Sequence, residues 1–378
     1  MDKKKICFIT AVPITAKAFL RKHMAALSSS YDIHYVCNAQ QADVADLPCK
    51  EFYSLQIERK FSPVKDLKAL RKLYKYFKAN KFVAVHSVTP KAGLLTALAG
   101  WRARVPVRIH IFTGQVWATR KGLMRWLLKA IDKIIIRLDT HILVDGKSQR
   151  AFLEKEGVLK KGQATVFGEG SISGVDTDRF TPNADVRKEI RQNLGIKDDA
   201  LVYLFMGRLN CDKGIGELLE AYDRLVSEAG NVFLLLVGWN EGDYLSRLSQ
   251  YPHINGTNFH YYGSTPEPET VLNAGDVFVL PTYREGFGTS VLEAACIGLP
   301  SITSDAYGVL DSVVEGETGL RCKVGDAQCL FNRMKYFNEH RDAVKEMGRN
   351  GRDRVLKDFT GEKLTACWVE FYGSLISE

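Results

Sequence analysis

Short runs of β-branched and aromatic residues alternate with longer helical patterns along the whole chain, and nothing else limits its fold as much. In the first half the strand candidates are KICFIT (5–10), IHYVC (33–37), FVAVH (82–86), VRIHIF (107–112), HILVD (141–145) and ATVFG (164–168). In the second half they are LVYLFM (201–206), VFLLLVG (232–238), NFHYYG (258–263), DVFVLP (276–281) and PSITS (300–304). Strands that are apolar throughout are buried on both faces, which calls for parallel sheets covered by helices. Two such series in tandem predict two Rossmann-like, doubly wound α/β domains. A length of 378 residues also suits two cores better than one. The polar, turn-rich stretch GVDTDRFTPNAD (174–185) separates the series. The expected domains are therefore 1–182 and 183–360, with a helix over 361–378 packing back on the first.

Charge divides with the fold. Residues 1–182 hold 32 Lys/Arg against 15 Asp/Glu, a balance of +17, and the remainder holds 20 against 29, a balance of −9. A whole-chain polyanion binder would not divide this way. In 64–81 the apolar residues Val64, Leu67, Leu70, Leu73 and Phe77 recur at helical spacing among seven lysines and arginines. The run 119–137 mixes Arg120, Lys121, Arg125, Lys129, Lys133 and Arg137 with Trp126 and aliphatics. Each pattern alone reads as an amphipathic helix with a solvated basic face. Together with the +17 half they point to an anionic membrane surface or a lipid-phosphate partner. Nucleic acid is disfavoured, since no helix-turn-helix, RNP-like or zinc-finger pattern appears. Eight scattered cysteines without metal-ligand spacing read as reduced thiols of a cytoplasmic protein. The apolar run after MDKKK is too short for a signal peptide and reads as a first strand.

Two segments concentrate chemistry. In DVFVLPTYREGFGTSVLEAACIGLPSITSD (276–305) a strand ends at Pro281, and a helix starts near Thr289 or Ser290. The N–H groups of Gly286, Phe287, Gly288, Thr289 and Ser290 then lie at a helix N-terminus, a site for an anion or sugar oxygens. Glu285 and Glu293 bracket that turn as E-x7-E, and carboxylates accept the paired hydroxyls of sugars. Ser290-Val-Leu-Glu293 equally fits a capping box, which would make Glu293 structural, and Glu285 could be a solvated loop residue. In LVYLFMGRLNCDKGIGELLEAY (201–222) a buried strand runs into a loop holding Gly207, Arg208 and Lys213. Cations at the carboxyl end of such a sheet suit a pyrophosphate.

GRLNCDKG followed by EGFGTSVLEA and GLP resembles family 4 of the retaining glycosyltransferases, which have the GT-B fold of two Rossmann-like domains facing a cleft. VHSVTPKAGLL (85–95), RIHIFTGQVWATRKG (108–122) and GVDTDRFTP (174–182) are similar to its capsule and O-antigen branch. The resemblance implies that Arg208 and Lys213 neutralise the leaving nucleotide diphosphate. It implies that Glu285 holds donor-sugar hydroxyls, the Gly286–Gly288 amides orient that ring, and Glu293 accepts the ribose hydroxyls. The expected partners are a UDP-sugar donor, a polyprenyl-diphosphate-linked saccharide acceptor and an anionic membrane surface, with no metal or other cofactor.

The chain departs from the family at two points, one of them the first loop, TAVPITAKAF (10–19), which lacks the glycines common at that site. Where a His-Gly pair is usual, it has Thr113-Gly114, with His110 three residues upstream. Thr113, Gly114, His110, His86 at a strand end and Pro13 in the first loop are the candidates for the cleft and acceptor, although His110 reads more readily as a strand residue than as a displaced catalytic group. Asp176-Thr177-Asp178 spells D-x-D but sits in the interdomain turn, and metal binding there is not expected. A nucleotide-sugar 2-epimerase on the same fold and a non-catalytic membrane-surface subunit binding a sugar nucleotide are the competing functions. A dinucleotide oxidoreductase is disfavoured, because TAVPIT after the first strand lacks G-x-G-x-x-G.

Overall fold

The structure, a computed structural model, describes residues 3–58 and 62–376. It divides into two units: residues 1–174 with 361–378, and residues 175–360. Unit 1 runs β1 (Lys5–Ile9), α1 (Pro13–Phe19), α2 (Arg21–Leu27), β2 (Asp32–Cys37), β3 (Glu51–Ser54) and α3 (Pro63–Asn80). It continues through β4 (Ala84–Val88), α4 (Pro90–Ala103), β5 (Val107–Phe112), α5 (Gly122–Leu138), β6 (His141–Val144), α6 (Lys147–Lys155) and β7 (Ala164–Thr165). Unit 2 holds α7 (Ala184–Asn193), β8 (Leu201–Met206), α8 (Ile215–Glu228), β9 (Val232–Val237), β10 (Phe259–Gly263), α9 (Pro268–Leu272) and β11 (Val277–Leu280). It ends with α10 (Thr289–Ile297), β12 (Ser301–Ser304), β13 (Gly319–Cys322), α11 (Ala327–Glu339) and α12 (Arg341–Asp358). The chain then returns to unit 1 as α13 (Gly361–Ile376), whose expected last two residues lie outside the described ones.

Both sheets are parallel throughout, in the orders β3-β2-β1-β4-β5-β6-β7 and β10-β9-β8-β11-β12-β13. In β1, Ile6 and Phe8 face one apolar layer with α2 and α13, while Cys7 and Ile9 face another with α3 and α4. That period of two explains why β1 must be apolar at every position. β8 and β9 are likewise buried along nearly their whole length, from Leu201 to Phe205 and from Val232 to Val237. Each such leucine contributes about 1.5–3 kcal/mol on burial.

The boundary between units falls after Gly174, eight residues before the one expected from sequence. Val175 is buried, bridges to Thr360 and donates its N–H to the Phe359 carbonyl at 2.8 Å, and Phe180 is also in the unit 2 core. The strand expected over 82–86 lies at Ala84–Val88, because Phe82 is used instead to pack edge-on against His34 and Phe77. Two edge strands, β3 and β13, carry no apolar run and were not expected.

Candidate functional site

In each sheet the strand order reverses once, between β1 and β4 and between β8 and β11. Crossovers leave such a point in opposite directions, opening a crevice at the carboxyl ends of the two strands. In unit 2 the loop after β8 carries Gly207, Arg208 and Lys213, and the loop after β11 carries Glu285 to Gly288. The topology therefore brings together two segments that are far apart in sequence.

Contact between the loops is tight. Gly214 adopts φ +70, and a Cβ there would lie 2.1 Å from the Pro281 carbonyl oxygen, so a side chain is excluded by both strain and space. Asp212 anchors the second loop: its carbonyl accepts from the Tyr283 N–H at 2.8 Å and the Thr282 hydroxyl at 3.0 Å. The Asp212 carboxylate accepts two bonds from Arg284, at 3.0 and 2.7 Å. Across this join the Lys213 ammonium donates to Glu285, with both side chains largely buried. From behind, Gly308 (φ +86) presses on the same loop, where a Cβ would meet the Glu285 and Gly286 carbonyl oxygens at 2.5 and 2.6 Å.

α10 begins at Thr289 after Gly288 in the left-handed conformation (φ +83), with no side chain capping it. The capping box open to Ser290 and Glu293 is therefore not formed, because the cap position is a glycine and Ser290 lies inside the helix. An uncapped helix start of this kind favours an anion. The Phe287 ring is buried against Phe359, 5.5 Å between centroids, which fixes the loop from inside. Glu293 is half-buried. Burial pushes its carboxyl up to about 7, with Arg179 drawing it down and Glu269 pushing it further up. Arg179 is itself held by Glu269 at 2.6 Å.

Arg208 is half-exposed and donates to Glu241 at 2.9 Å, and the Asn210 amide donates to the same carboxylate oxygen at 2.6 Å. Sequence reasoning missed Glu241, Asp212 and Gly308. Their roles arise between loops following different strands, and no local pattern signals that.

The unit 1 candidates separate into two groups. Pro13 opens α1, and Thr113 and Gly114 leave β5, all partly exposed at the carboxyl end of the sheet. The two histidines do not join them. His86 is fully buried, stacked on Phe8 and Trp368 with centroids 5.4 and 5.0 Å away, and its Nδ1 is 2.9 Å from the Tyr372 hydroxyl. His110 is also buried, with Nδ1 2.8 Å from the Ser87 hydroxyl and its ring against Phe112 and Gly93. Burial pulls its pKa down to about 3 and that of His86 well below the ordinary value. Both are core residues, which corrects their place among the cleft candidates. Asp176 and Asp178 lie in the turn entering unit 2, and the Asp176 carbonyl accepts the Phe180 N–H. Among the described residues no three His, Cys, Asp or Glu side chains cluster as a metal site.

Residues 17–170 match the glycosyl transferase 4-like domain and residues 186–354 match glycosyl transferases group 1. The capsular polysaccharide biosynthesis glycosyltransferase CapM of Staphylococcus aureus is 29% identical over 367 residues, 95% of this chain and 93% of that protein. A UDP-Gal:alpha-D-GlcNAc-diphosphoundecaprenol alpha-1,3-galactosyltransferase of Escherichia coli is 24% identical over 374 residues, 95% of this chain and 94% of that protein. The crystal structure of Anabaena HepE in complex with UDP-glucose superposes with a TM-score of 0.81 at 17% identity, covering 98% of this chain and 99% of that one. WaaG, a glycosyltransferase involved in lipopolysaccharide biosynthesis, does so with a TM-score of 0.73 at 14% identity, covering 99% and 100%. Each unit thus matches one of the two domain models, and the parallel-sheet fold is shared by the solved structures. The chain belongs to family 4 of the GT-B glycosyltransferases.

Proposed function

We propose that the protein transfers a sugar, of N-acetylhexosamine type, from a UDP-sugar to a polyprenyl-diphosphate-linked saccharide in bacterial surface polysaccharide assembly, with retention at the anomeric carbon. The observation that carries this is the Lys213–Glu285 pair beside the uncapped start of α10. Breaking the anomeric bond moves negative charge onto the departing diphosphate. Arg208, Lys213 and the amides from Gly286 to Thr289 offer fixed positive potential for that charge, the kind of preorganisation that lowers such a barrier. The same charges leave no role that a metal ion must fill, and activity is expected to persist in EDTA.

Glu285 accepts hydroxyls of the donor sugar once Lys213 turns to the phosphate. Glu293 accepts the ribose hydroxyls, which favour its ionised form. The acceptor is assigned to unit 1, at Thr113, Gly114 and Pro13. The activities of the E. coli relative and of a Campylobacter jejuni N-acetylgalactosaminyltransferase, both on undecaprenyl-diphosphate sugars, support a lipid-linked acceptor. The basic unit 1 suits a pyrophosphate lipid at the cytoplasmic face of an anionic membrane.

The test is a screen of UDP-sugars against synthetic polyprenyl-diphosphate saccharides, with and without EDTA, reading the product's anomeric configuration by NMR. An α-linked product from an α-linked donor supports the proposal. Inversion, or loss of activity in EDTA restored by Mg²⁺, counts against it. Conversion of the UDP-sugar to its C2 epimer with no acceptor present assigns the site to an epimerase instead.

A further inference from the structure

Unit 1 repeats, at its own strand reversal, the arrangement that carries the charges of unit 2. In the two sheet orders β4 stands to β1 as β11 stands to β8, so α4, which follows β4, is the counterpart of α10. Each of these helices starts at the carboxyl end of the strand beside the reversal. α10 starts after Gly288, with φ +83 and no side-chain cap. α4 starts after Thr89, with φ +79, ψ 143 and again no side-chain cap.

The two caps differ in what they imply. Glycine adopts positive φ freely, whereas a β-branched residue there is an outlier. Threonine is also a favoured N-cap, because its hydroxyl accepts from a first-turn N–H. Thr89 makes no such bond, and its Oγ1 is buried with no hydrogen-bond partner among the described residues. A buried hydroxyl left unpaired costs free energy that a bound ligand atom can restore. Thr89 therefore combines a strained backbone with an unmet polar group, and such strain collects at ligand sites.

A cation stands beside it. Lys91, in the first turn of α4, pairs with Asp66 of α3 at 2.9 Å, and both side chains are largely buried. Asp66 is fixed in turn by the Ser62 N–H at 3.1 Å. Lys91 is thus held at its helix start as Lys213 is held by Glu285 in unit 2. An ammonium and a helix N-terminus together favour an anion. In the sheet β4 lies between β1 and β5, so the start of α4 lies between the loop carrying Pro13 and the one carrying Thr113 and Gly114.

We infer that the start of α4, with the Thr89 hydroxyl and the Lys91 ammonium, binds the diphosphate of the acceptor. This rests on the lipid-linked acceptor of the proposed function and gives its charged group a place. Each unit then takes one diphosphate at the helix beside its strand reversal, the donor's at α10 and the acceptor's at α4. The Thr89 hydroxyl donates to a phosphate oxygen, and the Lys91 ammonium turns to the phosphate from Asp66. The saccharide is left to Pro13, Thr113 and Gly114.

The test is titration calorimetry of the full chain with geranyl diphosphate, a soluble prenyl diphosphate, in saturating UDP. UDP fills the donor site, so further binding reports a second diphosphate site. Wild type is expected to bind, and Lys91→Ala and Thr89→Gly are each expected to lose about ten-fold or more in affinity, with UDP affinity unchanged. Thr89→Gly separates binding from folding: glycine relieves the positive φ, so its Tm should equal or exceed that of wild type while binding falls. Inorganic pyrophosphate should compete with the probe, and geraniol should not. Undiminished binding in both variants overturns the site, as does competition by geraniol alone. Loss of all probe binding in saturating UDP also overturns it, by assigning the probe to unit 2. In turnover the two variants should raise the acceptor KM about ten-fold with kcat little changed. Failure of the transfer proposal registers separately, as no product from any UDP-sugar while probe binding still depends on Thr89 and Lys91.

Discussion

Lys213 and Glu285 form an ion pair between loops that follow adjacent strands but lie far apart in sequence. Each holds the other in place before any ligand arrives, at the site where a diphosphate and a sugar hydroxyl are proposed to replace the pairing. Glu285→Gln and Lys213→Ala are each expected to lower kcat by about 10²–10³-fold. Because the two act as a unit, the double variant should fall well short of the product of the single losses. Steady-state kinetics on the three variants measure this, and full additivity would separate their roles.

Glu293 sets a pH dependence. Its folded pKa, about 7, is raised above the ordinary 4.5 by burial. The group therefore costs nothing below its ordinary value, and the cost grows as pH rises, reaching about 3 kcal/mol above 7. Glu293→Gln should raise Tm at pH 8 and leave it nearly unchanged near pH 4. In wild type, UDP-sugar affinity should strengthen between pH 6 and 8 as the carboxyl ionises. Calorimetric titration should find that slope flattened in Glu293→Gln, and a slope that survives would remove Glu293 from donor binding.

Gly308→Ala places a methyl group against two carbonyls of the Glu285 loop in a left-handed backbone. A cost of about 1–3 kcal/mol in stability is expected. The loop displacement should lower kcat by about 10²-fold, with UDP binding less affected. Equal loss in kcat and in UDP affinity would point to general unfolding of the loop.

His110 is neutral across the working pH range, its pKa pulled down to about 3. His110→Gln should therefore leave the pH–rate profile unchanged, at a stability cost of about 1–3 kcal/mol. Gly93→Ala, whose Cβ would lie 2.4 Å from the His110 ring, should cost a similar amount. Loss of a limb of the pH profile in His110→Gln would return this histidine to the reaction.

The central strands were legible because burial on both faces leaves a continuous apolar run, as in LVYLFM, whose limits coincide with β8. The edge strands β3 and β13 were not, since EFYS and GLRC need no such run at a sheet margin. Lys213 and Glu285 stood out as charges just past buried strands, where a parallel sheet collects its ligand loops. Glu241 and Gly308 gave no such sign, because their partners follow other strands. His86 misled for a related reason. H-S-V-T-P looks like an exposed turn, but the rings covering it, Trp368 and Tyr372, come from the far end of the chain.

That return of the chain makes the two units unequal as cloning targets. Residues 175–360 begin and end side by side, Val175 bonded to Phe359 and bridged to Thr360, so this segment can be excised as a continuous gene fragment with its ends already joined. Residues 1–174 cannot, because a stop codon at 361 strips α13 away and leaves Phe8, His86 and Phe167 without Trp368. A stop codon placed after the second unit is thus expected to damage the first unit, while residues 175–360 remain intact.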